Sequence, residues 1–330
     1  MRILVTGGAG FIGSHVVDCL LKSGYEVGVL DDLSGGFAEN INPYARFFPG
    51  SITDSVLVDH IFTASNFEYV FHIAAYAAEG LSHFIRGFNY TNNLLGSVNL
   101  INAAIRHNVK CFVFTSSIAV YGAGQVPMQE DMIPRPEDPY GISKYAVELD
   151  LEAAHKMFGL NYIIFRPHNV YGERQNIGDP YRNVVGIFMN QILQGKPCTI
   201  FGNGEQTRAF THIADVVPVI AKAPFWSDAY NHVFNIGADI PYTVNNLLHN
   251  VQAAMGRKTG AIHLPARKEV LHAFCDNTKC RTVLGSDSTV SLSEGLRRMA
   301  QWVKEVGIRQ GKPFENIEIE KELPDSWRKM

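Results

Sequence analysis

Cysteine is scarce in these 330 residues and poorly arranged for cross-linking. Cys19, Cys111, Cys198, Cys275 and Cys280 are odd in number and form no C-x-x-C pair. Free thiols in a reducing cytoplasm are expected instead of a disulfide framework. The 12 histidines stand singly, with no H-x-x-x-H and no Cys/His cluster, so no metal site is expected. Net charge is -3, which leaves no basic footprint for nucleic acid. No apolar run reaches the roughly 18 residues needed to cross a bilayer. The opening Ile3-Leu4-Val5 leaves no room for a secretion signal. What remains suits an α/β enzyme: 46% hydrophobic, 18% charged and 29 glycines, with no repeat or low-complexity segment.

The first thing present is a strand, a glycine loop, a helix and a second strand in immediate succession. Residues 2–6 read as a buried strand and Gly7-Gly8-Ala9-Gly10-Phe11-Ile12-Gly13 follows at once. Helical spacing then runs through Val16, Val17, Leu20 and Leu21 to Gly24, and residues 26–30 form the next strand. This is the setting a dinucleotide fingerprint needs. Gly7 permits the tight turn, Gly10 lets backbone approach a pyrophosphate at the helix N-terminus, and Gly13 lets helix and strand pack closely. Asp31 and Asp32 close the second strand, where a carboxylate accepts both ribose hydroxyls and repels a 2′-phosphate. The expected cofactor is NAD, not NADP.

A helix is expected over residues 139–158, with Asp138 as N-cap, Pro139 as its first residue and Gly159 as its stop. Tyr140 and Lys144 stand four apart on it, so both side chains leave one face near the N-terminal end. A phenol beside an ammonium suits removal of a proton from an alcohol. Working as a base near pH 7 requires the phenol's pKa to fall by about 3 units, or about 4 kcal/mol. A cation at about 4 Å in an effective dielectric near 20 supplies a contribution of that size. Residues 110–115 read as another strand, which sets Ser116 and Ser117 at its C-terminal end, where open parallel sheets hold their ligands.

Taken together, the Gly-x-x-Gly-x-x-Gly loop, Thr115-Ser116-Ser117 and the Tyr140/Lys144 pair resemble the extended short-chain dehydrogenases/reductases, over essentially the whole chain. The closest likeness is to nucleotide-sugar 4-epimerases of the UDP-glucose/galactose type. The resemblance implies a Rossmann-type doubly wound parallel sheet with a smaller, interleaved C-terminal substrate domain. The boundaries are 1–172 for NAD, with returning segments at about 208–240, and 173–330 for the nucleotide sugar. It implies catalysis by Ser117, Tyr140 and Lys144, the phenol being ionised by the amine together with the nicotinamide charge.

The resemblance assigns NAD contacts to Gly7, Gly10, Phe11, Ile12, Gly13, Asp31, Asp32, Leu33, Ser34, Ser51, Ile52, Ala74, Ala75, Tyr76, Asn93, Ser116, Tyr140, Lys144 and Pro167. Ser51 departs from the usual aspartate, and Ala77 from a lysine that some sugar epimerases carry. To the UDP-sugar it assigns Ser117, Tyr140, Asn169, Asn183, Val184, Thr199, Phe201, Arg208, Arg267, Glu269 and Ala273. Arg208 and Arg267 would fork onto the diphosphate, and Val184 with residues 199–201 would frame the uracil. Ile118 and Ala119 stand where dehydratases and decarboxylases of the family carry acids, which argues for plain oxidation and reduction at one carbon. The small Ala273 suits an N-acetyl sugar. UDP-glucuronate epimerisation, dehydration or decarboxylation, and a silent NAD-binding regulator remain open alternatives. A homodimer through helices at about 92–107 and 140–158 is implied as well.

Residues 89–106 are expected to form one long helix, and Gly202-Asn203-Gly204 a hairpin-like turn after a strand at 197–201. His168 reads as a packing residue, and the charged segment from Glu315 onward as a surface cover.

Overall fold

The computed structural model describes residues 1–267, 269–286 and 288–328. Its centre is a seven-stranded parallel sheet in the spatial order His232–Ile236, Tyr162–Pro167, Cys111–Thr115, Tyr69–His72, Arg2–Thr6, Glu26–Asp31, Arg46–Pro49. Strand order reverses beside Arg2–Thr6, which pairs with Glu26–Asp31 on one side and Tyr69–His72 on the other. That switch point opens a crevice at the strand C-termini, the place where doubly wound sheets bind ligands.

Helices cover both faces because the strands are apolar on both faces. Ile3 and Val5 point into one core, with Val16, Val17 and Leu20 of the Phe11–Lys22 helix and with Val216 and Ile220 of the Ile213–Lys222 helix. Leu4, one residue out of phase, joins the opposite core with Ile61 and Phe62, Leu100 and Ile101, and Val147 and Leu151. This two-residue alternation sorts the helices to their layers. A third core, built on Phe188, Met189, Leu247, Val251, Leu296 and Met299, belongs to the smaller C-terminal layer. The chain crosses back when His232–Ile236 pairs in parallel with Tyr162–Pro167 (His232 beside Ile163), so the two layers interleave. No described helix is long and apolar enough to cross a membrane, and all five cysteines are free.

Three expectations need correction. The long helix begins earlier, at Arg86, and continues to Arg106 through one π-helical turn at Thr91–Leu95. That turn carries the buried Asn93, and such turns gather at functional sites. Gly202-Asn203-Gly204 does turn the chain, with positive φ at both glycines, but it makes no hairpin. Cys198–Phe201 pairs instead with Ala261–Leu264, and Thr207–Ala209 with Pro241–Thr243 and His272–Ala273. Local turn chemistry was right; the partner strands came from far along the chain.

The third correction concerns the tail, of which residues 329 and 330 lie outside the described residues. Leu323 and Trp327 are buried in a small core with Ala78, Leu81 and Ile85, against which Phe84 and Tyr181 pack. Glu318 accepts the backbone N–H of Gly87 at 2.7 Å and of Phe88 at 2.8 Å. The tail is thus part of the fold. Trp327→Ala should destabilise the protein by about 3–5 kcal/mol, read from the urea midpoint; an unchanged midpoint would return the tail to a surface cover.

Candidate active site

The larger cleft starts at Gly7, where φ is +72° and any Cβ would stand 2.7 Å from the Ala74 amide nitrogen. At Gly13 a Cβ would sit 2.0 Å from the Gly7 carbonyl oxygen, so only glycine lets this helix rest against its own loop. Gly10 occupies the N-cap without a capping side chain, leaving the first helical N–H groups for an anion. Asp31 closes the neighbouring strand, accepting from the Ala9 N–H at 2.9 Å and the Leu33 N–H at 2.8 Å. Burial holds its carboxyl above the usual range, against the pull of those two bonds. Asp32 also lines the cleft, is exposed and accepts the Ser34 N–H at 2.9 Å.

Around the same cleft stand Phe11, Ile12, Ser34, Ser51, Ile52, Ala74, Ala75, Tyr76, Ser116, Tyr140, Lys144 and Pro167. Leu33 and Asn93 are not in its wall. Asn93 works from behind, its side chain accepting the Tyr76 N–H at 2.8 Å and donating to the Tyr76 carbonyl at 3.1 Å. Ser51 is taken up by Thr53, at 2.9 Å between hydroxyls. The glycine cradle, the uncapped helix end and the carboxylate at the strand tip together fit an adenine dinucleotide.

Several wall residues were not singled out from the sequence, among them Gly36, Phe37, Gln175 and Arg182. Arg182 pairs with Asp179 and lies 5.0 Å over the Tyr76 ring. It comes from an irregular loop whose local sequence carries no signal. Asn183, expected at the sugar, also lines this larger cleft.

Tyr140 and Lys144 stand on the Pro139–Phe158 helix, capped by Asp138, whose side chain accepts the Gly141 N–H at 2.9 Å. A Cβ on Gly141 would strike the Ala119 carbonyl at 2.5 Å, so glycine lets the helix start abut the turn that carries Ser117. Tyr140, Lys144 and Glu148 follow one another along one face. Lys144 Nζ donates to the Thr115 carbonyl at 2.8 Å and lies 5.9 Å from the Tyr140 ring centre. Glu148 accepts from Arg166 Nε at 3.0 Å and from the Ser116 hydroxyl. Ser116 is therefore locked, while Ser117 accepts the Ala119 N–H at 3.1 Å and faces a second, smaller pocket.

Burial pushes the Lys144 ammonium down to about 7, with Glu148 opposing. It also pushes the Tyr140 phenol up; Glu79 and Asp138 add to this, and Ser117 and Arg182 oppose it. In the protein alone, burial favours the neutral phenol and the neutral amine, and the amine donates to a carbonyl. The oxidised nicotinamide's positive charge is the part of the expected electrostatics that this arrangement still requires.

The smaller pocket is lined by Glu79, Ser117, Ile118, Ala119, Pro167, His168, Asn169, Arg208 and Ala273. Pro167 lines both cavities, and Tyr140 in one faces Ser117 in the other. Asn169 adopts φ +41°, and its Nδ2 is buried without a partner, ready for a ligand oxygen. Arg208 donates to the carbonyls of Thr207 and Leu271, both at 2.9 Å, and of Val270. His168 bonds the Ala238 carbonyl at 3.0 Å and fills the space left by Gly237, where a Cβ would lie 2.1 Å from its ring.

Val184, Thr199, Phe201, Arg267 and Glu269 line neither cavity. Arg267 instead lies 3.9 Å over the Phe201 ring and 5.6 Å from that of Trp327, with Glu269 at 3.5 Å. Thr199 is engaged by Gln191, whose side chain accepts its N–H at 3.1 Å. Sequence reasoning overlooked Glu79; the acid that directly follows Ala77-Ala78 at a strand end was the available signal.

Between about pH 7 and 10 the unfolded chain keeps a proton that folded Lys144 has lost, so wild-type stability rises with pH there. Lys144→Met should stabilise the dinucleotide-free protein most below pH 7. The advantage should shrink by about 1.4 kcal/mol per pH unit above it. Equal shifts in urea midpoint at pH 6 and pH 9 would show that the buried amine stays charged.

Comparison with known proteins agrees with this geometry. The NAD dependent epimerase/dehydratase family signature matches residues 3–237. The crystal structure of a UDP-glucose 4-epimerase with UDP-glucose from Thermotoga maritima is similar at 39% identity and TM-score 0.88, covering 93% of this chain and 99% of that one. UDP-glucuronic acid 4-epimerase from Bacillus cereus, in complex with UDP-glucuronic acid and NAD, is 30% identical at TM-score 0.86, covering 93% and 100%. A UDP-glucose 4-epimerase of Mycolicibacterium smegmatis is 34% identical over 92% of this chain and 99% of its own. With its glycine cradle, strand-end carboxylate and Tyr140/Lys144 helix, this chain belongs to the NAD-dependent epimerase/dehydratase family, the extended branch of the short-chain dehydrogenases/reductases.

Proposed function

We propose that the chain is an isomerase that inverts C4 of a UDP-hexose, UDP-glucose/UDP-galactose or their N-acetyl forms, through a transient 4-keto sugar. The observation that carries this reading is the position of Tyr140 in the dinucleotide cleft, facing Ser117 in the adjoining pocket. Residues 1–172 would hold NAD and residues 173–330 the nucleotide sugar. NAD, when bound, supplies reversible two-electron oxidation at the sugar carbon.

The chain's own groups do the rest. Tyr140 takes and returns the C4 hydroxyl proton, and Ser117 shares that hydrogen bond. Lys144 orients the cofactor ribose and favours the phenolate once a second positive charge is present. Asn169 and Arg208 hold the sugar diphosphate, with Arg267 and Glu269 beyond them and Asn183, Val184, Thr199 and Phe201 toward the nucleoside. Ala273 is buried and small, which leaves room for an N-acetyl group. A homodimer is supported by Leu95 and Leu149, exposed on the two helices concerned at 56% and 47%. Work in the cytoplasm is supported by five free thiols.

Incubation with UDP-glucose and UDP-N-acetylglucosamine should yield products of unchanged mass and inverted C4, separable by NMR. Tyr140→Phe should lower kcat by about 10²–10⁴-fold while leaving NAD bound. A product of altered mass, or full activity in that variant, would overturn the reading.

A further inference from the structure

Neither Ile118 nor Ala119 brings an acid to the sugar pocket, yet the pocket is not neutral. Glu79 enters it from the opposite side, at the start of the Glu79–Ser82 turn of helix. It is the only acidic side chain among the described residues of that wall. Its carboxylate has no hydrogen-bond or ion-pair partner among the described residues, only its backbone carbonyl being used, by Ser82 at 2.6 Å. Glu79 is exposed, and its side chain lines the pocket.

A carboxylate so placed can accept a hydrogen bond from whatever fills the pocket. Sugar hydroxyls are such donors. A second carboxylate is the opposite: two like charges in a space of this size and reduced dielectric repel strongly. Arg208, the only cation among the described residues of that wall, cannot offset this freely, because it already donates to three backbone carbonyls.

We propose that Glu79 is a specificity-determining residue that accepts a hydrogen bond from a hydroxyl of a neutral hexose and excludes hexuronates from the pocket. This rests on the UDP-hexose reading above and narrows it to uncharged sugars. The groups facing Glu79 are Asp138, Tyr140, His168, Arg208, Arg267 and Glu269. Burial, reinforced by Asp138, raises the Glu79 carboxyl to about 7, with Arg208 and Arg267 opposing. Exclusion should accordingly be strongest above pH 7 and weaken as pH falls below it.

The test is calorimetric binding of UDP-glucose and UDP-glucuronate to the NAD-loaded protein, carrying Tyr140→Phe to prevent turnover. At pH 8 UDP-glucuronate should bind at least about tenfold more weakly, and the gap should narrow at pH 6. Glu79→Gln should bring the two within about threefold and remove the pH dependence, whereas Glu79→Asp should keep most of both. Equal affinities in the parent protein, or a gap that Glu79→Gln leaves unmoved, would overturn the assignment. A protein that binds neither compound would sink the UDP-hexose reading itself, and this proposal with it.

Discussion

One hydrogen bond orders the rest of the site: Lys144 Nζ donating to the Thr115 carbonyl at 2.8 Å. It fastens the catalytic helix to the C-terminal end of a central strand, where the sheet delivers Ser116 and Ser117. An uncompensated ammonium at that depth would be costly. Glu148 lies one turn further along, itself held by Arg166 and Ser116. Glu148, Arg166 and Ser116 form one buried network joining helix and sheet. Buried ion pairs of this kind add little net stability over apolar packing, but losing one partner leaves a stranded charge. Their use here is to fix geometry: the phenol of Tyr140 is aimed by the same helix that the amine holds down.

The electrostatics of the pair show why the protein alone is a poor base. Removing water from both groups favours the neutral phenol and the neutral amine. An arrangement balanced in this way gains its reactivity only when a cationic ring occupies the cleft beside it. On the proposed reading, proton abstraction would thereby be coupled to the presence of the oxidant.

Much of this was legible in the sequence, and the reason is locality. The glycine loop, the cap Asp138, the first residue Pro139, the Tyr140/Lys144 spacing and the stop at Gly159 are short-range patterns whose physics lies within one or two turns. The returning strand at His232–Ile236 could be read from Val233, Phe234 and Ile236, apolar residues gathered in a short run. What failed was long-range. Gly202-Asn203-Gly204 turns as its glycines require, yet its flanking strands found partners 32 to 65 residues on, which no local rule supplies. Glu79 is an ordinary acid in sequence and acquires meaning only from the wall it joins. Arg267 on Phe201 is a tertiary stack between segments far apart in the chain.

Trp327 packs against Phe84 and Tyr181 and lies beside Arg267. During synthesis the seven sheet strands are all available once Ile236 has emerged from the ribosome, so the NAD half can form on the nascent chain. The wall around Arg267 must wait for 91 further residues, until Trp327 has emerged. A chain halted in that interval would carry all seven strands of the central sheet while Arg267 still lacked the Trp327 ring beside it.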